Sequence, residues 1–425
     1  QYPSQDIVIR RIWVGRKFPK QTICDVDLRG KTILLRADYN VPLTKRGQIS
    51  DDLRIRASLP TLRYLLEQNC KIVIMSHLGR PKGKDSKFSL KVVADHLSKL
   101  LNRPVELLDD CVGEAVHQAV RRAPRGSILM LDNLRFYDEE EADDLTFAKS
   151  IQRAVRADYF VQDGFAVAHR AHASTHAITL CVPGLAGLLL EKEYVTITEA
   201  MNKPKRPLVA VIGGAKVSDK ILLIKRLIKK ADRILIGGAM SNTFLHCRGF
   251  NVGKSVFEPG MEKVVAEIYD LAAAKVGIEN VDDFLVLPID VAVAPEISKD
   301  FPRQEVNIDK IKNSDMALDI GSQTIEKFTK ILDGAKMVIW NGPLGYAEID
   351  NFAIGSARVA LAIAQNKGVV SIVGGGDTAD FILKWDGHDG ANFTHVSTGG
   401  GASMALMAGK KLPGIESLLD AYGLR

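Results

Sequence analysis

Residues 207–216 read PLVAVIGGAK: five apolar residues in an unbroken run, Leu208–Ile212, then Gly213, Gly214 and Lys216. An apolar run of this length reads as a strand buried on both faces. Its abrupt switch to glycine and charge marks the carboxyl end. The same signature follows downstream as Arg233–Met240 (RILIGGAM), Phe284–Asp290 (FLVLPID), Met316–Ser322 (MALDIGS), Lys336–Gly345 (KMVIWNGPLG), Gly368–Thr378 (GVVSIVGGGDT) and Thr394–Ser403 (THVSTGGGAS). Upstream it occurs as Lys31–Asn40 (KTILLRADYN), Lys71–Pro81 (KIVIMSHLGRP), Ser127–Phe136 (SILMLDNLRF) and Asp158–Phe165 (DYFVQDGF).

Helical spacing fills the intervals at Leu59–Gln68, Leu90–Leu101, Thr146–Ala154, Lys220–Ile228 and Gln323–Leu332. Strand–helix alternation predicts parallel sheets flanked by helices. A break falls near residues 185–207, where a helical stretch at Glu191–Met201 runs into the polar NKPKRP of Asn202–Pro207. The expected fold class is therefore α/β, with two doubly wound (Rossmann-like) parallel-sheet domains joined by a linker helix, and a cleft between them. The expected division is an arm at 1–20, an N-terminal domain at 21–190, a linker helix and hinge at 191–204 and a C-terminal domain at 205–405. A closing segment at 406–425, with Pro413-Gly414 inside it, can pack back on either domain, and the N-terminal one is its expected place.

Composition excludes several classes. The 425 residues are 46% hydrophobic and 25% charged, with a formal net charge of +6. No apolar run approaches the roughly 20 residues of a membrane span. A charge this modest does not argue for nucleic acid, and aromatics at 6% offer no stacking platform. Cys24, Cys70, Cys111, Cys181 and Cys247 are scattered and lack CxxC spacing, so neither a disulfide framework nor a zinc site is indicated and a reducing compartment fits. The chain begins at Gln1 with a basic but not apolar stretch, read as a surface arm, with a residual organelle-targeting piece as the alternative.

The two halves differ in what their strands deliver. Ligands of such sheets bind outside the carboxyl ends of the strands. The first half places Arg36, Asp38, Asn40, Arg54, His77, Arg80, Arg135, His169, Arg170 and His172 at or near those ends; the second places glycine pairs and triplets there. Guanidinium forks suit small, multiply charged anions. Glycine turns that feed helix N-termini suit nucleotide phosphates. The GxxxxGK[ST] pattern is absent, and Gly213-Gly214-Ala215-Lys216 lacks GxGxxG spacing, so neither a P-loop nor a dinucleotide site is indicated. Asp377, after three glycines, reads as a helix N-cap. Met404–Met407 reads as core packing.

RADYNVP, SHLGRP, LDNLRF, QDGFAVAHRAHAST, GGAKVSDK, WNGPLG, GGGDTA and STGGGAS, in this order over about residues 31–414, resemble the motifs of the phosphoglycerate kinases. The resemblance implies a Mg²⁺-dependent phosphotransferase with a carboxyl group as acceptor, acting reversibly between 1,3-bisphosphoglycerate and ADP to give 3-phosphoglycerate and ATP. It implies that Asp38, Asn40, Arg54, His77, Arg80, Arg135 and Arg170 bind the phosphoglycerate. Arg80, Arg135 and Arg170 would hold its 3-phosphate, and Arg54 would sit nearest the reacting group. Lys216, Lys220, Gly237, Gly238, Leu318, Asn341, Glu348, Gly375, Gly376, Asp377 and Thr378 would bind the nucleotide, and Asp377 would hold Mg²⁺. Arg54, Lys216, Gly376 and Gly400 would serve catalysis, with Gly399 adding a backbone amide. It further implies a cytoplasmic monomer with no nucleic-acid or membrane partner.

The chain departs from the family pattern at Ala166-Val167, Ala239, Gly164 and Met404-Ala405. Two function classes stay open at this point: an active kinase, and a divergent paralogue that binds nucleotide without turnover. Retention of Arg54, Lys216, Lys220 and Asp377 favours the first.

Overall fold

The computed structural model describes residues 17–421, which fall into two compact units, 17–195 with 411–421 and 196–410. The arm expected at 1–20 lies outside the described residues except for its last four. The chain passes from the first unit to the second within the helix Leu188–Asn202 and returns at Lys410–Lys411.

Six parallel strands form the sheet of the first unit: β1 (Thr32–Arg36), β2 (Lys71–Met75), β3 (Val105–Leu107), β4 (Ile128–Met130), β5 (Tyr159–Gln162) and β6 (Gly184–Ala186). Their order is β3-β4-β2-β1-β5-β6. The apolar runs account for this. Ile33, Leu34, Leu35, Ile72, Val73 and Ile74 are all fully buried, as strands with cover on both faces require. After β1 the chain builds outward to one side, then starts again on the other with β5. The switch point lies between β1 and β5, where a doubly wound sheet opens to a ligand. Four helices of this unit matter below: α1 (Leu53–Glu67), α2 (Lys91–Leu101), α3 (Glu114–Arg122) and α4 (Leu145–Val155). From Lys411 the closing segment belongs to this unit, while 406–410 stay with the second: Gly414 N–H donates to Ala168 O at 2.9 Å and Leu419 N–H to Gly184 O at 3.0 Å.

The second unit repeats the plan with β7 (Leu208–Ile212), β8 (Arg233–Ile236) and β9 (Leu285–Val286) on one side of the switch, and β13 (Met337–Asn341), β14 (Val370–Gly374) and β15 (His395–Val396) on the other. The order is β15-β14-β13-β7-β8-β9, all parallel. Trp340, Phe328 and Val211 anchor its core, each fully buried and worth about 1.5–3 kcal/mol by removal from water.

One expectation needs correction. Met316–Ser322 reads as another strand of the parallel sheet. Instead β10 (Asp290–Ala294), β11 (Gln304–Asn307) and β12 (Met316–Ile320) form a separate three-stranded antiparallel sheet, ordered β11-β10-β12. Its edge strand β11 is polar and largely exposed, so it carries no apolar signature. The helices mostly begin within a few residues of their expected starts; the linker helix starts three residues early, at Leu188.

Candidate active site

In the first unit, three strand-end loops are cross-braced at one glycine. Gly79 N–H donates to Asn40 Oδ1 at 2.8 Å, and Gly79 O accepts from the Arg135 guanidinium at 2.8 Å. Gly79 has φ +62°, and a Cβ there would lie 2.5 Å from the Phe88 ring, so glycine is required. Buried Asn133 completes the brace by donating to Leu78 O at 2.7 Å and Phe88 O at 2.9 Å. It also caps the short turn that carries Arg135, accepting from Arg135 N–H at 3.0 Å.

Arg36, at the end of β1, is fully buried. It donates to Ser174 Oγ at 2.8 Å, lies 3.2 Å from His77 Nδ1, and faces the equally buried Glu140 at 3.8 Å. Burial raises the Glu140 carboxyl, against the pull of Arg36 and two hydrogen bonds from Ser174. Arg54, in the first turn of α1, pairs with Asp38 at 2.5 Å. His77 is held well below its ordinary pKa, by burial first and then by Arg36, Arg135, Arg54 and His172. His172 is pushed down to about 4, again mainly by burial. Both imidazoles are therefore neutral near pH 7, and the positive potential comes from arginines alone. Arg80 and Arg170 are exposed and have no partner among the described residues. Arg135 is also paired with Glu141 at 2.7 Å.

At the switch point of the second unit, backbones rather than side chains meet. Gly213 N–H donates to Asn341 O at 3.0 Å, Gly214 N–H to Pro343 O at 2.8 Å, and Gly238 N–H to Leu344 O at 2.9 Å. A Cβ on Gly213 would lie 2.0 Å from Pro343 O, and one on Gly342 (φ +99°) would lie 2.2 Å from Gly213 O. Beside this weld lies a pocket of about 250 Å³ lined by Lys216, Lys220, Asn341, Gly375, Gly376, Asp377, Thr378 and Gly400, with Asp219 and Met404 among the rest. Two helices begin at its wall: α11 (Gly376–Asp386), capped by Gly375 at φ +96°, and α12 (Gly401–Met407), capped by Gly400. The helix numbers between follow chain order from α5 (Leu188–Asn202) through α6 (Ile221–Lys230), α7 (Gly238–Cys247), α8 (Glu262–Val276), α9 (Ser322–Asp333) and α10 (Ile354–Gln365). A Cβ on Gly376 or Gly400 would meet nothing within 4 Å, so both glycines border open space. Unpaired first-turn amides and the positive helix end favour an anion there.

The two lysines differ. Lys220 Nζ donates to Gly213 O at 2.8 Å and Asn341 O at 3.1 Å. Desolvation pulls its pKa down to about 8, opposed by Asp377 and Asp219. Lys216 is exposed and makes no side-chain hydrogen bond or ion pair among the described residues, with Glu258 within its field. Asp377 is not the N-cap that its sequence position suggests. It stands in the first turn of α11, and its carboxylate accepts no hydrogen bond from the described residues. A free carboxylate beside phosphate-seeking amides fits one ligand position of Mg²⁺, which takes its other ligands from water and phosphate oxygens. Among the described residues no cluster of three His, Cys, Asp or Glu could hold a metal by itself.

The structure thus gathers Asp38, Arg54, His77, Arg135 and Arg170 around Arg36 and His172, and brings Lys216, Lys220, Asn341, Gly375, Gly376, Asp377, Thr378 and Gly400 into one pocket. Gly237, Gly238, Leu318 and Glu348 do not line that pocket. Leu318 packs with Ala292, Ala294 and Phe352, and its carbonyl accepts from Tyr346 N–H at 2.7 Å, two residues before the exposed Glu348. Sequence reasoning names Arg36 and His172 among the strand-end residues that suit anions and Gly342 among the strand-end glycines, but assigns them no ligand contact, and it passes over Asp219 altogether. Met404, read as core, borders the pocket, whereas Met407 is buried against Gly374.

Fold and sites together define the class: a two-unit, doubly wound α/β protein equipped for phosphate-bearing ligands. The family model described as Phosphoglycerate kinase matches residues 23–410. The chain is 47% identical over 404 residues to a phosphoglycerate kinase of Dictyoglomus turgidum, covering 94% of this chain and 99% of that protein. It is 44% identical over 402 residues to one of Aquifex aeolicus, covering 94% and 98%. The solved phosphoglycerate kinase of Coxiella burnetii superposes with a TM-score of 0.80 at 36% identity, and that of Pyrococcus horikoshii with 0.78 at 33%; each covers 94% of this chain and 98% of its own. The chain belongs to the phosphoglycerate kinase family.

Proposed function

We propose that the chain transfers a phosphoryl group reversibly between 1,3-bisphosphoglycerate and ADP, giving 3-phosphoglycerate and ATP, with Mg²⁺ carried by the nucleotide. The observation behind this reading is the pocket of the second unit. It offers amides, Lys216, Lys220 and the carboxylates of Asp219 and Asp377, and no activated nucleophile. Such a site suits phosphoryl transfer, which asks for positioning and charge neutralisation more than covalent protein chemistry. No general base is needed, because the accepting carboxylate or ADP phosphate is already ionised.

The roles follow from which cations are free. Arg80 and Arg170, without partners, take the 3-phosphate of the phosphoglycerate together with Arg135; Asp38 and Asn40 meet its hydroxyl and neighbouring polar groups. His77, neutral, offers a hydrogen bond rather than charge. Arg54, oriented by Asp38, and Lys216 flank the migrating phosphoryl group, whose charge spreads over three oxygens. Gly376 and Gly400 present amides to the same charge. Lys220, Asn341, Gly375 and Thr378 hold the nucleotide phosphates, and Gly237, Gly238, Leu318 and Glu348 hold the adenosine. Asp377 holds Mg²⁺, which neutralises phosphate charge when bound.

Closure of the two units over their substrates, about the helix Leu188–Asn202, completes the reading. A monomer in the cytoplasm agrees with the family and with five thiols free of disulfides. No helix among the described residues is long and apolar enough to cross a membrane.

The test is a coupled assay with 3-phosphoglycerate, MgATP and a reporter dehydrogenase. Turnover is expected, and Arg54→Ala or Lys216→Ala should each lower kcat by about 10²–10⁴ with the thermal midpoint unchanged. Nucleotide binding without turnover in the native chain would overturn the reading. Near-native kcat in either variant would remove that residue from its role.

A further inference from the structure

Strand β1 ends in Arg36, and His77 stands two residues beyond the end of β2. The opening residues of the two strands, Thr32 and Lys71, lie at the far edge of the same sheet. There the structure holds a second concavity of about 240 Å³, lined by Thr32, Lys71, His117, Arg121 and Arg156 over two valines. No acidic side chain lines it. The adjoining carboxylate, Asp158, is spent on Thr32 N–H at 2.8 Å.

The carbonyl ends of α3 and α4 also point this way and would repel an anion. Both nearby carbonyls are occupied: Lys71 Nζ donates to Val120 O at 2.8 Å, and His117 Nδ1–H donates to Ala154 O at 3.1 Å. Lys71 lies within the field of a further cation, Arg125. The side chains of Arg121 and Arg156 are exposed and have no hydrogen-bond or ion-pair partner among the described residues.

Arg156 is held in a left-handed conformation, φ +53°, which favours glycine or asparagine. Gln152 fixes it there: its carbonyl accepts from Arg156 N–H at 2.7 Å, and its side-chain amide brackets the Ala157 backbone at 2.9 and 3.2 Å. The position of this arginine is therefore set by the backbone. Basic side chains normally spread over a surface with acids between them; here they converge on one hollow with no acid in its wall.

We propose that this hollow is an anion site separate from the two described above, and that it takes a small ligand with two phosphoryl groups or the equivalent charge. Two free guanidinium forks and an ammonium match that chemistry. The proposal does not depend on the phosphoryl-transfer reading.

The probe is inorganic pyrophosphate, titrated into the full chain and followed by backbone amide resonances. Saturable shifts are expected at Thr32, Lys71, His117 and Arg156. In the double variant Arg121→Ser, Arg156→Ser their apparent affinity should fall at least about tenfold, with shifts near Arg170 retained. Arg170→Ser should leave the hollow's shifts intact. Both replaced arginines are exposed, and an otherwise unchanged spectrum confirms the fold. Shifts that never saturate, shifts confined to the Arg170 region, or an unchanged affinity in the double variant would each overturn the proposal.

Discussion

Nucleotide binding should consume protons, and Lys220 is the reason. Its ammonium donates to two backbone carbonyls, which favours the charged form. Desolvation outweighs them and pulls the pKa from 10.5 down to about 8. A phosphate chain entering the pocket restores the charged form. The uptake per nucleotide bound is then the fraction of Lys220 that was neutral beforehand: about one tenth at pH 7, about one half at pH 8 and about nine tenths at pH 9. Titration calorimetry of MgADP at these pH values, in buffers of different ionisation enthalpy, reads the uptake as the slope of observed heat against buffer heat. Lys220→Arg keeps a cation that does not titrate in this range, so its slope should vanish. A slope that stays flat from about pH 7 to about pH 9 in the native chain, or one that survives in Lys220→Arg, refutes the reasoning.

Three further outcomes are expected. Glu140→Gln leaves the Arg36 guanidinium buried without its counter-charge, and chemical denaturation should show a loss of about 3–5 kcal/mol; a loss below about 1 kcal/mol would mean that the pair does not hold this corner of the fold. Gly342→Ala places a Cβ against Gly213 O at φ +99°, so unfolding should register at least about 1–3 kcal/mol from backbone strain alone, and a neutral result would dissolve the proposed weld. Buried Asp163 has its carboxyl pushed up to about 7 by desolvation, above the ordinary 3.8, so the folded state holds the proton longer. The stability contributed by this group should therefore be full below about pH 4 and fall by about 4 kcal/mol as pH rises through 7, seen as the difference between the native chain and Asp163→Asn.

The parallel sheets were legible because burial on both faces forces an unbroken apolar run, and each such run ends where water and ligand begin. That logic misses β11. Gln304–Asn307 is an exposed edge whose pairing is carried by backbone alone. It also misjudges Met316–Ile320, because an apolar run fixes burial but not the direction of its neighbours. Glu140 was illegible for a different reason. It stands in the acidic run Asp138–Asp144, flanked by exposed Glu139 and Glu141, and only the folded chain singles it out as the partner of Arg36. Asp377 follows the glycines as a cap would, but Gly375 at φ +96° takes the capping position and leaves the carboxylate free. The glycine motifs were legible as turns. That Gly213, Gly238 and Gly342 exist to let three backbones touch one another is visible only as distances.

Both units divide their cations in the same way, and the division says how the sites work. In the first, Arg36 is spent on Glu140 and Ser174, Arg54 on Asp38, and Arg135 on Gly79 O and Glu141, while Arg80 and Arg170 stay open. In the second, Lys220 is spent on two carbonyls and Lys216 stays open. A committed cation costs little rotamer entropy when a ligand arrives, because its geometry is already fixed. A free one costs more but engages the ligand without first giving up a partner. An anion entering either site therefore meets a preset positive field, built by groups that do not move, and is then gripped by side chains that do. Arg54 stands between the two kinds: it is paired, yet about one third of its side chain is exposed, so a phosphoryl group can share it with Asp38 without breaking the fold. Loss of Arg36 or Lys220 should thus disturb both stability and ligand handling, whereas loss of Arg170 should disturb binding, and loss of Lys216 turnover, with stability unchanged.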